Sequence, residues 1–209
     1  MMKKILLVTA HPDDAEISMG GTIRKLLNQG HYIINIIFSI PSNIVVRKQE
    51  AMESSKNFGY EVQFSKYCEG NNVEDIPLHK LIKELDDIIE KMDPDEVYTH
   101  WMNDSHQDHK KLSKVVRSCF RKKQFTLYEF EQINQNNNIA ANQFHPNIYS
   151  DITGFMEDKK RMITMFQSQL TGYMGHYLVN AEHIGSWRGS QVNCKYAETF
   201  LLIFSKEVL

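Results

Sequence analysis

The sequence has few cysteines, no long apolar run and almost no charge bias. Its three cysteines, Cys68, Cys119 and Cys194, show no C-x-x-C spacing, which excludes a disulfide framework and a thiolate zinc site. No apolar stretch approaches the roughly 18 residues of a membrane span, and the run at 5–10 is shorter than the core of a secretory signal. The 24 Lys and Arg against 26 Asp and Glu lack the basic surplus of a nucleic-acid binder. We therefore expect a soluble, cytoplasmic protein without a nucleic-acid partner.

The order of apolar patterns predicts an α/β fold. A chain of 209 residues is long enough for a substantial core, and the absence of repeats or linkers predicts a single domain over residues 1–209. Continuous apolar runs followed by helical periodicity are typical of a doubly wound, Rossmann-like, mostly parallel sheet with helices on both faces. The predicted strands are residues 5–10, 32–38, 61–67, 96–100, 125–130 and 196–204.

Helix signals separate these strands. Gly30 and Gly59 stand where a glycine ends a helix, and the clearest amphipathic stripe covers residues 78–92. A further helix is predicted just past His109, and Asp151 is expected to N-cap another. Residues 132–147, rich in Asn and Gln, are expected to form a long loop, and 171–191, which contain His176 and His183, are expected to be irregular. The sequence assigns no role to either histidine.

Two short strings contain the residues for a metal site. The first is Ala10-His11-Pro12-Asp13-Asp14, and the second is Asp104-Ser105-His106-Gln107-Asp108-His109. His11 and Asp14, joined by His109, would give two imidazoles and one carboxylate with coordination positions left open. A metal ion lowers the pKa of a bound water to near 7, and Asp13 could accept the proton.

Each string alone has a plainer interpretation. His-Pro-Asp-Asp is typical of a turn, and His106 with His109 would suit the polar first turn of a helix. Both strings, however, follow a predicted strand and precede a predicted helix, which is where open α/β sheets bind their ligands. Their position favours the metal site.

Motifs along the whole chain resemble the LmbE-like, or PIG-L, family of zinc-dependent sugar N-deacetylases. They are the two metal strings, the Gly20-Gly21-Thr22 run, the Arg47-Lys48-Gln49-Glu50 run, the segment 146–153, Lys159-Lys160, Ser168-Gln169 and the segment 196–200. The two metal strings are the specific part of the resemblance.

The resemblance implies an LmbE-like fold and a role for each site residue. Zinc would be held by His11, Asp14 and His109, with Asp13 as general base. His106, oriented by Asp108, would stabilise the tetrahedral oxyanion and protonate the departing amine. Fe²⁺ stays open as the metal used in the cell.

Arg47 has two interpretations. It is spaced to form a surface ion pair with Glu50 on one helix, whereas the resemblance suggests that it contacts substrate.

The expected function is hydrolysis of the N-acetyl group of an N-acetylglucosamine-type sugar conjugate. The partner is then a small molecule, and the sequence is also compatible with a homo-oligomer. Two alternatives stay open: a non-haem Fe(II) enzyme with the same two-His, one-carboxylate ligands, and a non-catalytic binding module in which Gly20-Gly21 cradles a phosphate.

Overall fold

A computed structural model of the chain describes residues 1–132, 143–170 and 176–205. Within them, seven strands form one sheet of order β3-β2-β1-β4-β5-β7-β6. The strands are β1 Lys4–Thr9, β2 Tyr32–Ile37, β3 Glu61–Phe64, β4 Glu96–His100, β5 Thr126–Phe130, β6 Ile148–Asp151 and β7 Ala197–Phe204. The helices are α1 Asp14–Asn28, α2 Ile44–Phe58, α3 Leu78–Met92, α4 Gln107–Cys119, α5 Met156–Thr164 and α6 Tyr177–Ser190. The predicted α/β fold is confirmed.

The first five strands run parallel, and β7 pairs antiparallel with both β5 and β6. Alternate residues of β1 enter different cores: Leu6 and Val8 pack with α3 and α4, whereas Ile5 and Leu7 pack with α1 and α5. A strand covered on both faces must be apolar at every position, which explains the uninterrupted run in the sequence. None of the helices in the described ranges is long and apolar enough to cross a membrane.

The sheet order places a crevice beside the end of β1. The chain leaves β1 toward β2 and β3 on one side, and it later returns to place β4 on the other side. The connections after β1 and β4 therefore diverge at the carboxyl edge of the sheet, which is the usual ligand-binding position in open α/β folds. Both metal strings follow these two strands.

Several predicted boundaries were wrong. Strand β3 ends at Phe64, and α4 begins at Gln107, so that His109 lies inside the helix. Asp151 ends strand β6 instead of capping a helix, and its Oδ1 accepts the Thr153 N–H at 2.9 Å. Of the predicted loop at 132–147, residues 133–142 lie outside the described part of the chain.

Helix α6 lies where an irregular segment was predicted. Its buried residues are Arg188 and three small residues four apart, Ala181, Gly185 and Gly189. A Cβ on Gly189 would approach the Cys194 carbonyl oxygen to 2.6 Å, so the second half of this helix packs by close backbone contact. Apolar packing is confined to the part before Gly185, where Leu178 and Ile184 are only partly buried, and the sequence therefore lacks a strong amphipathic stripe. Residues 171–175 lie outside the described ranges.

Candidate metal centre

The two strings meet at the carboxyl edge of the sheet. His11 and Asp14 lie at the start of α1 and His109 lies in the first turn of α4, and one ligand atom from each lies within 4.8 Å of the others. His11 Nδ1 and His109 Nε2 each lie 3.5 Å from an oxygen of Asp14. His109 Nε2 is buried and makes no hydrogen bond in the described structure. An unpaired buried nitrogen costs free energy, and a metal ion would satisfy it.

Each candidate imidazole ligand is held by a carboxylate on its other ring nitrogen. Asp108 Oδ2 lies 3.0 Å from His11 Nε2, and Asp104 Oδ2 lies 3.0 Å from His109 Nδ1. Such carboxylates orient metal-binding histidines and fix the tautomer that presents a lone pair to the ion. The donor set therefore fits a divalent metal between His11 Nδ1, Asp14 and His109 Nε2.

The electrostatics of the cluster favour a positive charge at this point. Burial lowers the pKa of His109, but Asp14 and Asp104 outweigh this effect and raise it to about 10. Burial raises the pKa of Asp14, but His109 and His100 hold it well below its usual range. The carboxylates around the two imidazoles thus stabilise a bound cation, whether proton or metal.

Two other groups of side chains have metal-compatible distances. One is His11, His106 and Asp108, and the other is His100, Asp104 and His109. Their members also make contacts within the protein: His100 Nε2 accepts the Ala10 N–H at 2.9 Å, although its Nδ1 is buried and unpaired in the described structure. The Asp104 and Asp108 carboxylates accept backbone N–H groups of His106 and Glu74 as well as facing a histidine. These residues form the support of the cluster.

Asp13 precedes the helix in a strained conformation. Its φ is 97°, in the left-handed region that side chains other than glycine seldom adopt, and such strain clusters at functional sites. Burial raises the pKa of Asp13 to about 8, and the neighbouring Asp14 adds to the shift.

The residue facing Asp13 is Arg47. Its guanidinium lies 3.9 Å from Asp13 Oδ1 and donates to the Pro12 carbonyl oxygen at 3.1 Å. Within the described residues Arg47 does not pair with Glu50, which instead accepts from the Ser168 N–H and hydroxyl at 2.7 and 2.6 Å. The prediction of a surface ion pair was wrong because Arg47 is buried and turns toward the first metal string.

His106 lies at the entrance of the cluster, and Asp108 orients it in an unexpected way. The Asp108 backbone N–H donates to His106 Nδ1 at 3.2 Å, whereas the Asp108 carboxylate faces His11. Asp108 thus contacts His106 through its backbone N–H and not through its carboxylate. With Nδ1 accepting a hydrogen bond, Nε2 is the nitrogen that holds a proton. The His106 ring stacks on His109 with the centroids 4.5 Å apart.

The other two histidines considered in the sequence lie at α6. His176 immediately precedes the helix, His183 lies on it, and both are exposed.

The family model described as GlcNAc-PI de-N-acetylase, PIG-L, matches residues 6–120. The chain belongs to the PIG-L family. Among curated relatives, the "Uncharacterized deacetylase YaiS" of Escherichia coli K12 is 30% identical over 116 residues, which are 51% of this chain and 62% of that protein. The chain thus spans less than two thirds of this relative.

Solved structures share the fold of this PIG-L chain over nearly its full length. The N,N'-diacetylchitobiose deacetylase of Pyrococcus horikoshii has a TM-score of 0.79 at 21% identity, covering 96% of this chain and 84% of that one. GalB, the 4-carboxy-2-hydroxymuconate hydratase of Pseudomonas putida KT2440, has a TM-score of 0.78 at 19% identity, covering 100% and 99%. These likenesses establish the fold, which a deacetylase and a hydratase share.

Two residues outside the part matched by the PIG-L model support Asp14 and its helix. Gln132, at the end of β5, donates from Nε2 to Asp14 Oδ1 at 3.3 Å and accepts the Ser18 hydroxyl at 2.6 Å. Glu198, on β7, accepts the N–H groups of Gly21 and Thr22 at 3.0 and 2.6 Å. Gln132 did not stand out in the sequence because it begins a segment rich in amides. Glu198 lies in the segment 196–200 that carried part of the resemblance, but no role was assigned to it.

Glu198 also removes the basis for a phosphate cradle at Gly20-Gly21. Helix α1 is kinked at Met19, and the Glu198 carboxylate caps the half that begins after the kink. A Cβ on Gly21 would lie 2.8 Å from the Ile152 side chain. The Gly21 N–H is therefore already bonded, and the glycine is needed for close packing.

We predict that Gln132→Ala weakens metal binding. Loss of the amide frees Asp14 Oδ1 from its support, and outer partners of metal ligands are typically worth about 10- to 100-fold in metal affinity. The affinity is measured by competition with a chromogenic chelator, and Ser18→Ala, which removes the hydroxyl that holds Gln132, should give a smaller loss. Gln63→Ala, on β3, is the matched control. Unchanged affinity in Gln132→Ala would show that the amide contact does not position Asp14.

Proposed function

We propose that this PIG-L protein is a metal-dependent N-deacetylase that hydrolyses the N-acetyl group of an N-acetylglucosamine-type sugar conjugate to acetate and the free amino sugar. The observation that carries this proposal is the convergence of His11 and His109 on Asp14, with His109 Nε2 buried and unpaired. The family description and the name of the P. horikoshii structure support an N-acetylated sugar as the substrate class.

The proposed cofactor is Zn²⁺, held by His11, Asp14 and His109. Two imidazoles and one carboxylate form a ligand set that zinc accepts in catalytic sites with an open position. When bound, the ion polarises the amide carbonyl and lowers the pKa of water. Fe²⁺ accepts the same ligands, so metal analysis of protein purified from its native host decides between the two ions.

Asp13 carries the proton transfer, and His106 stabilises the developing charge. Asp13 accepts a proton from the attacking water as the water oxygen bonds to the amide carbon, and it returns this proton to the amide nitrogen as the C–N bond breaks, which releases the amine and acetate. Because His106 Nδ1 accepts the Asp108 N–H, its one proton is on Nε2, and this N–H donates a hydrogen bond to the carbonyl oxygen as that oxygen becomes an oxyanion, instead of leaving for the amine as the resemblance implied. Arg47 holds the Pro12-Asp13 backbone and faces the Asp13 carboxylate. We infer that Arg47 keeps Asp13 in place. Contact between Arg47 and the sugar, which the resemblance suggests, stays a prediction.

The two alternatives from the sequence lose support. A binding module would need neither Asp13 nor His106 around the cluster, and its phosphate cradle is occupied by Glu198. A non-haem Fe(II) enzyme would likewise not need Asp13 and His106 beside its ligands, and it would require oxygen, whereas hydrolysis does not. The fold likeness to a hydratase adds a third outcome, in which water adds to a double bond and no acetate is released.

The test is acetate release by zinc-loaded protein under anaerobic conditions. The substrates are N-acetylglucosamine conjugates of three kinds: thiol-precursor glycosides, nucleotide sugars and lipid-linked sugars. We expect stoichiometric acetate and free amine from at least one of them, abolished by chelation and restored by added metal. Turnover that requires oxygen, or metal-loaded protein that releases no acetate from any conjugate, would contradict the proposal.

A further inference from the structure

A cavity of about 630 Å³ lies next to the metal centre, at the carboxyl end of β5. Gln132 belongs to both: it lines the cavity and donates to Asp14 Oδ1. The volume lies within the usual range of small-molecule sites. Helix α6 forms the opposite wall through Trp187 and Arg188, so the cavity extends away from the metal ligands toward the second half of the chain.

Arg188, a buried cation that lines this cavity, is already paired with a carboxylate. Arg188 is 5% exposed and makes a two-point contact with Glu131, with Nε to Oε2 at 2.8 Å and a terminal nitrogen to Oε1 at 2.5 Å. Glu131 Oε2 also accepts the Thr199 hydroxyl. An anionic ligand would have to displace the Glu131 carboxylate from a geometry that suits Arg best. The cavity therefore favours an uncharged occupant.

Besides His145, the rest of the polar lining consists of amide and hydroxyl side chains. The Tyr149 hydroxyl donates to Gln191 Oε1 at 2.9 Å, and Arg188 approaches the same oxygen at 3.4 Å. Because Gln191 accepts through Oε1, its Nε2 remains a donor, and the Tyr149 oxygen remains an acceptor. Such mixed donors and acceptors suit hydroxyl groups, which both donate and accept.

Trp187 adds an apolar surface at the mouth of the cavity. The residue is 55% exposed, although tryptophan is usually well covered. The Arg188 guanidinium lies over one face of the indole, 4.1 Å from the ring centroid, so a ligand would have to use the opposite face or the edge. A pyranose ring has an apolar C–H face bordered by hydroxyls, and it would pack on the indole while its hydroxyls reach Tyr149 and Gln191.

We propose that this cavity is the subsite for a second, uncharged sugar unit, linked to the N-acetylated sugar whose amide lies at the metal centre. The inference rests on the proposed function, because it assigns the substrate class of that site. It predicts that the enzyme prefers a neutral disaccharide to a monosaccharide. It also predicts that a neutral disaccharide is preferred to a conjugate that carries a phosphate in place of the second sugar.

The kinetic test compares methyl N-acetylglucosaminide with N,N'-diacetylchitobiose. We expect a higher kcat/KM for the disaccharide, and we expect Trp187→Ala to reduce the disaccharide-to-monosaccharide ratio about tenfold through KM, the size of effect that one lost ring contact has in binding. Tyr149→Phe should reduce the ratio by a smaller factor. Val179→Ala, which truncates another exposed apolar residue of α6, is the control that leaves the ratio unchanged.

A binding experiment separates this subsite from the deacetylase reaction. The chain has two tryptophans; Trp101 is 6% exposed and packs against Phe144, so Trp187 is the accessible reporter. Titration of N,N'-diacetylchitobiose into protein stripped of metal should change the emission, and the change should disappear in Trp187→Ala. If neither substrate is hydrolysed but the emission changes, the proposed function fails and the sugar site stands. If acetate is released while the emission and the ratio do not respond to Trp187→Ala, or if a phosphorylated conjugate is preferred, the subsite proposal is wrong.

Discussion

Replacing His109 with alanine is expected to abolish both metal binding and turnover. The change removes a buried nitrogen that has no hydrogen-bond partner in the described structure, and two protein ligands are too few to retain the ion. His11→Ala and Asp14→Ala should have the same effect. Metal content by mass spectrometry and acetate release by coupled assay measure the two losses, and far-ultraviolet circular dichroism verifies folding.

The control for this series is His79→Ala, which removes an exposed histidine from α3. It should retain full metal content and full activity. A ligand variant that keeps both would exclude that residue from the metal site, and the assignment would pass to His106 or His100, which belong to the neighbouring groups. His109→Gln, which keeps a polar side chain beside Asp104, distinguishes loss of a ligand from loss of folding.

Asp13→Asn is expected to keep the metal and to lose activity by about 10²-fold or more. An amide in place of the carboxylate cannot accept the proton of the attacking water, and a general base typically contributes about 10²- to 10⁴-fold. The side chain keeps its shape opposite Arg47, so the melting temperature should change little. The measurements are kcat, metal content and thermal unfolding of the same preparation.

The matched variant is Asp87→Asn on the exposed side of α3, which should leave all three quantities unchanged. A variant at Asp13 that melts normally and turns over at the native rate would end the general-base assignment. A variant that melts at a much lower temperature would instead show that Asp13 stabilises the turn, whose left-handed backbone is strained.

Elements with a strong local pattern were predictable from the sequence. Strand β1 is apolar at successive positions because both of its faces are covered, and α3 has a stripe that faces α4 and the sheet. Gly59 ends α2 with a φ of 87°, as its position predicted. In each case the sequence pattern lies within the element itself or at its end.

The elements that escaped prediction depend on distant partners. Strand β6 is four residues long and is defined by its pairing with β7. Helix α6 packs through Gly185 and Gly189, whose contacts are Met156 and the backbone of Cys194 and Lys195. Small residues carry no periodic apolar signal, so the sequence around them is typical of a loop.

In the candidate site too, residues in local motifs were predictable from the sequence, whereas contacts between distant residues were not. The candidate ligands were predictable because they lie in two compact strings, each placed after a parallel strand. The partner of Asp108 was not predictable, because its carboxylate could face His106 two residues away or His11 across the crevice, and only the packing selects His11. Gln132 reaches Asp14 across 118 residues of sequence, a distance over which local patterns carry no information.

The long reach of Gln132 and Glu198 has a consequence for synthesis of the protein on the ribosome. Chain growth at about 5–20 residues per second separates Asp14 from Gln132 by about 6 to 24 seconds, and Glu198 emerges later still. During this interval the amides of Gly21 and Thr22 lack their carboxylate cap, and Asp14 lacks its amide partner. If Gln132 supports Asp14 as predicted, a nascent chain that already contains every candidate ligand should hold a metal ion less firmly than the finished polypeptide.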